Sequence, residues 1–207
     1  MAVLSHDFYN GDTVEIARSL LGKYLVRRYE DELLAVRITE TEAYVGRCDK
    51  ACHAYGYRKT ARNETMFGPP GHAYIYLIYG MHHCLNLVTE PEGEPSAVLI
   101  RGGEAVLGME TITRFRYGRK PGELTSYQKK HLLDGPGKLC RALALTRNED
   151  GIDLTGDTLW VTDEPAELGL ALPREAPPVW RTRRIGIDYA EEARDFLWRF
   201  TYEEQTR

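Results

Sequence analysis

No uninterrupted apolar run in this 207-residue chain approaches membrane-spanning length, and the richest stretch, Ala73 to Tyr79, is far too short. No basic N-terminal segment leads into an apolar one, so no secretory signal is expected. A cytoplasmic, nucleoid-associated setting, or a nuclear one in a eukaryote, follows as the expectation. The four cysteines, Cys48, Cys52, Cys84 and Cys140, are too few to staple a chain this long, which favours a reduced interior. P-loop, dinucleotide-fingerprint, nucleophile-elbow and thioredoxin-like motifs are all missing, as are internal repeats and low-complexity segments. There is no basic excess either. The formal net charge is -4 and the pI about 5.9, whereas domains that bind nucleic acid are usually basic.

What is there begins with an ordinary globular balance, 43% hydrophobic and 28% charged, enough for one sizeable core in one domain spanning residues 1–207. The charges are unevenly placed. From Thr111 to Arg147 nine Lys and Arg stand against Glu123 and Asp134, whereas from Asn148 to Leu170 there are seven acids and no Lys or Arg. Such a separation can put a basic face on an acidic protein, or it can be two solvated surfaces with no partner. Asp12 or Thr13 can cap a short helix bearing an Ile16, Ala17, Leu20, Leu21 stripe that Gly22 ends. Strands are predicted over Lys23 to Tyr29, Leu33 to Tyr44, His72 to Tyr79, His82 to Val88 and Ala97 to Ile100, with a tight turn at Gly80-Met81. Helices are predicted over Glu104 to Tyr117, closed by Gly118, and over Pro136 to Leu145. Closing strands follow over Trp180 to Ile187 and Asp195 to Tyr202. Hairpins first and helices later make this a mixed α+β domain.

Two segments carry candidate chemistry. In Glu40-Thr41-Glu42-Ala43-Tyr44 a regular pleat puts Leu34, Val36, Ile38, Glu40, Glu42 and Tyr44 on one face, apolar at its start and acidic and aromatic at its far end. Paired carboxylates in a partly dry site raise each other's pKa, and one beside an aromatic can act as a general base. The plainer alternative is a solvated strand face. In the tyrosine strand Tyr74 and Tyr76 share a face, whereas Tyr79 has the opposite parity and falls beside the turn. A large aromatic at a hairpin tip is costly to expose and suits a wedge. Core packing accounts for Tyr74 well and for Tyr79 poorly. Cys48, Cys52, His53 and Asp49 have no matching second pair at structural-zinc spacing, so neither metal nor cofactor is expected.

Arg37-Ile38-Thr39-Glu40-Thr41-Glu42-Ala43-Tyr44, Arg62-Asn63-x-x-Met66-Phe67, Tyr74-Ile75-Tyr76-Leu77-Ile78-Tyr79-Gly80-Met81, Cys84-Leu85-Asn86, Val98-Leu99-Ile100-Arg101 and Gly135-Pro136-Gly137-Lys138-Leu139-Cys140 occur in this order. Together they resemble the 3-methyladenine DNA glycosylase family of the alkyladenine (methylpurine) type, from about Leu4 to Tyr202. The resemblance implies one compact domain with a curved antiparallel sheet and a protruding hairpin that enters the DNA minor groove. It implies an enzyme acting on double-stranded DNA, with no membrane partner, and a monomer is the default expectation. Such an enzyme flips out 3-methyladenine and other alkylpurines, with hypoxanthine or ethenoadenine as further substrates, and hydrolyses the bond from base to sugar without cutting the strand. Carried over position by position, Glu42 matches the general base and Arg101 the arginine that helps hold the attacking water. The main-chain carbonyl of Ile185 matches a further contact to that water. Tyr44, His53 and Tyr76 match groups around the flipped base, and Asn86 matches an amide that excludes guanine. Tyr79 matches the intercalating wedge, with Met81 beside it. Asp188-Tyr189 replaces a smaller, glycine-rich stretch near the pocket.

Overall fold

The computed structural model describes residues 3–171 and 177–202. Among the described residues the sheet has eight strands, every pair antiparallel, with five short α-helices around it, the mixed α+β architecture expected. The strands are β1 (Tyr24–Tyr29), β2 (Glu32–Val45), β3 (Ala73–Ile78), β4 (His82–Thr89), β5 (Ser96–Leu107), β6 (Leu159–Thr162), β7 (Trp180–Thr182) and β8 (Arg199–Thr201). The helices are α1 (His6–Tyr9), α2 (Thr13–Ser19), α3 (Met109–Tyr117), α4 (Ser126–Lys130) and α5 (Pro136–Ala142). The sheet runs β3-β4-β5-β2-β1-β6, with β8 on β2 and β7 on β8.

β2 is the spine. One edge pairs with β5 along nearly its whole length, and the other pairs first with β1 and then, at Glu40 to Glu42, with β8. At this handover the register slips: Ile38 faces Gly103 but Glu40 faces Gly102, which leaves Thr39 as an extra residue. On β5, Arg101 is left over in turn between Gly102 and Ile100. A bulge reverses the alternation of side chains beyond it. Leu34, Val36 and Ile38 join the main core, and past the bulge Ala43 does so too, while Thr41 bonds the carbonyl of Ala17 in α2 at 2.7 Å. Glu40, Glu42 and Tyr44 therefore turn to the opposite face. The single uninterrupted face expected from a regular pleat is corrected by that one residue.

The main apolar cluster draws on residues from Leu4 to Phe200, including the predicted α2 stripe of Ile16, Ala17, Leu20 and Leu21. Asp12 supplies the cap, its carboxylate accepting from the amides of Val14 and Glu15. The predicted helix from Glu104 starts only at Met109. Glu104, Ala105 and Leu107 find strand partners on β2, and pairing overrides their helical preference until Gly108, at φ 74°, lets the chain turn. The closing strands shrink to β7 and β8, because the residues between them leave the sheet to build the site. α1, α4 and β6 were not predicted.

The β3–β4 turn is centred one residue earlier than expected. Tyr79 and Gly80 both have positive φ, 53° and 67°, and the amide of Met81 bonds the carbonyl of Ile78 at 3.2 Å. This is a type I′ turn, whose twist suits a tight hairpin. It leaves Tyr79 82% exposed at the tip with Met81 beside it, also exposed.

Candidate active site

On the face of the sheet to which Glu42 turns, a cavity of about 550 Å³ lies between the β3–β4 hairpin, β5, the start of α5 and the segment after β7. That is ordinary for a small-molecule or nucleobase site. Its lining brings together Tyr44, His53, Tyr76, Tyr79, Asn86, Arg101 and Ile185 from six separate stretches of chain. Met81 stays outside on the hairpin. Glu42 is fully buried and does not itself line the cavity; it lies behind Tyr44, Arg101 and Ile185, which do.

The carboxylate of Glu42 is closely held. Its Oε2 accepts from the Tyr44 hydroxyl at 2.7 Å, its Oε1 accepts from the Ile185 amide at 2.7 Å, and Arg101 Nε lies 3.5 Å from Oε1. The contact from Ile185 is thus made by its N–H. Arg101 in turn donates to Glu40 at 2.9 Å, and Glu40 also accepts from Arg199 at 2.5 Å. Burial pushes the Glu42 carboxyl above its ordinary pKa and Glu40 adds to this, while Arg101, Tyr44 and the Ile185 amide pull the other way. Burial beside Glu42 holds the Tyr44 hydroxyl well above the usual phenol range, so it remains a donor. Burial works against the charge on Arg101, but Glu42 and Glu40 more than offset it.

The far wall is aromatic. The His53 ring lies 4.6 Å from Tyr76 at 75°, its Nδ1 is 3.0 Å from the Tyr74 hydroxyl, and Tyr74 and Tyr76 are 5.4 Å apart. Burial, with Arg62 nearby, lowers the His53 pKa to about 4, so this wall carries no histidine charge at neutral pH. Asn86 is buried on β4, its amide donating to the Tyr74 carbonyl at 3.1 Å. Gly137 of α5 sits so close to His82 that an added Cβ would meet the His82 Cβ at 3.0 Å. This fit brings Lys138, like Arg116 a product of the basic segment, to the cavity. The acidic stretch is partly absorbed elsewhere, by Arg27 on Glu149 and Lys23 on Asp163.

Sequence reasoning missed two groups. Arg184 and Asp49 form a fully buried ion pair that anchors the segment carrying Ile185. Asp49 reads from sequence only as a neighbour of Cys48, Cys52 and His53, and Arg184 lies within the segment read as a closing strand. Among the described residues no group of three or more His, Cys, Asp and Glu could hold a metal ion. Tyr189, 69% exposed, also lines the cavity mouth.

The family model described as methylpurine-DNA glycosylase matches residues 7–206. Among curated relatives, a protein from Clostridium perfringens strain 13 is 48% identical over 198 residues, covering 95% of this chain and 94% of its own. One from Bacillus cereus is 50% identical over 196 residues, covering 95% and 93%. One from Desulfitobacterium hafniense is 45% identical over 204 residues, covering 99% and 97%. All three bear the name of candidate 3-methyladenine DNA glycosylases.

Proposed function

The chain belongs to the methylpurine-DNA glycosylase family, and from that membership we propose the reaction its cavity serves: hydrolytic excision of damaged purines from double-stranded DNA, with Glu42 as the base. It is a DNA N-glycosylase, a hydrolase of DNA repair. A stacked base hides its glycosidic bond, so the damaged nucleotide swings out into the cavity, at a cost of about a few kcal/mol that is least for a weakly paired lesion. Tyr79 fills the vacancy in the stack, with Met81 against the neighbouring step. Tyr44, Tyr76 and His53 enclose the extruded base, and the tyrosine faces suit a cationic alkylpurine such as 3-methyladenine. Hypoxanthine and ethenoadenine are further substrates in this reading, and Asn86 excludes guanine by crowding its exocyclic amino group.

Water held by Arg101 and the main-chain carbonyl of Ile185 attacks the anomeric carbon. The glycosidic bond breaks with its electron pair to the base, and Glu42 accepts the proton of the water. An abasic site remains and both strands stay intact. Glu42 accepts from the Tyr44 hydroxyl on one oxygen and from the Ile185 amide on the other, and a carboxylate oxygen so bonded can still accept from the water. All the groups invoked lie on one chain, so the proposed chemistry needs no second copy of it.

The observation that carries this reading is a buried carboxylate whose three closest polar partners all line one aromatic cavity. Loss of a general base slows chemistry by about 10²–10⁴-fold. Glu42→Gln is therefore expected to slow base release by that much while a lesion duplex still binds with near-parental affinity. Near-normal turnover in this variant removes Glu42 from the role.

A further inference from the structure

Tyr44 and the Ile185 amide reach Glu42 from unrelated parts of the chain, and a single buried side chain touches the setting of both. The Arg184 guanidinium is fully buried and forked onto Asp49, with Nη2 donating to Oδ1 at 2.8 Å and Nη1 to Oδ2. Nη1 also donates to the carbonyl of Ala43 at 2.7 Å, between Glu42 and Tyr44 on β2, and Nη2 to the carbonyl of Ala193 at 3.1 Å. The Arg184 Cζ lies over the Tyr44 ring, 4.7 Å from its centre, and over the Trp198 ring at 5.3 Å. Asp49 is tied down in turn by the amide of Ala51 at 2.9 Å. The next residue after Arg184 is Ile185, whose amide bonds Glu42.

A buried ion pair is weak evidence for stability, since well-packed apolar residues of similar volume serve as well or better. What an apolar side chain cannot supply is directional hold on several carbonyls at once together with a planar cation over a ring. We propose that the Arg184–Asp49 pair is the positioning element of the catalytic base, fixing Tyr44 and the Ile185 amide about the Glu42 carboxylate. The proposal rests on the reading of Glu42 as the base.

Arg184→Lys tests it, because the charge stays while the fork and the planar contact are lost. The groups facing Glu42 are Glu40 and Tyr44 of β2, Arg101 of β5, Cys84 of β4, Arg184 itself and, through Glu40, Arg199 of β8. None of these changes its formal charge. The measurement is single-turnover base release from a duplex bearing one N-methylated purine, followed across pH and scaled to the folded fraction by circular dichroism. The hydrogen bonds from Tyr44 and Ile185 favour the ionised carboxylate. Loosening them is expected to move the acid limb of the profile to higher pH and to slow release by about tenfold, as misplacing a reacting group by a fraction of an ångström does. Duplex affinity should stay within about twofold, because Arg184 is not itself among the residues that line the cavity. A rate per folded molecule and an acid limb that match the parent, or a limb that moves down, overturn the proposal. If Arg184→Lys does not fold, Asp49→Glu, which also keeps both charges while moving the guanidinium, carries the same measurement. Glu42→Gln in the same assay separates the two ideas. If it keeps its turnover, the base assignment fails; if it is dead while the limb of Arg184→Lys stays put, only the positioning role fails.

Discussion

At the scale of single residues the site is a set of opposed pulls on one carboxylate. Burial and Glu40 raise the Glu42 pKa, and Arg101, Tyr44 and the Ile185 amide restrain the rise. A general base works only when deprotonated, so activity falls as pH drops through its pKa, and a raised pKa places that fall above the ordinary carboxylate range. The single-turnover profile on an alkylated purine should show its acid limb there, and a limb at the pH of a free carboxylate would mean that Glu42 is hydrated in the working complex. That Glu42, Tyr44 and Arg101 stand together was legible from the order of the motifs. Arg184 was not, because an arginine announces a buried role only through the fold that surrounds it.

At the scale of elements, two short devices aim the side chains. The bulges at Thr39 and Arg101 swing Glu42 and Arg101 away from the core, and β2 and β5 close tightly around them. A Cβ on Gly103 would stand 2.3 Å from Val36 Cγ1 and 2.6 Å from the Arg37 carbonyl. Gly103→Ala should therefore cost about 1–3 kcal/mol, the usual penalty of overpacking, read as a lower urea midpoint; an unchanged midpoint would show that the strands part freely. The hairpin is the second device. Tyr79 holds a left-handed backbone that costs a side-chain-bearing residue about 1 kcal/mol. Tyr79→Gly should relieve this and leave the fold at least as stable, yet weaken binding to lesion duplexes more than to isolated damaged nucleosides. Equal losses on both ligands would count against a wedge. Strand existence was legible here and parity was not: alternation in the sequence runs unbroken through Thr39, and only pairing with β5 and β8 reveals the extra residue. The same pairing hid the second half of β5 behind helix-forming Glu104 and Ala105.

At the scale of the molecule, a protein whose 31 acids outnumber its 27 Lys and Arg must grip a polyanion. Arg116 and Lys138 stand at the cavity, and Lys138 is half-committed to Asp134 at 2.7 Å. Affinity for a lesion duplex should fall steeply with salt, and Lys138→Ala should reduce the slope of log affinity against log salt by about one without changing which lesion is preferred. An unaltered slope would place Lys138 off the phosphate path. The basic segment was visible in the composition, but the closeness of Gly137 to His82, which delivers it to the cavity, was not. There is also a matter of timing. The amide that completes the setting of Glu42 lies 143 residues further along the chain. On a ribosome, the motifs around the carboxylate emerge long before that partner exists, and contacts between distant segments are slow to form. The nascent protein thus passes most of its synthesis with its hairpin and aromatic wall already encoded but without the amide that completes the setting of Glu42, and the proposed base is fully held only when that late segment closes.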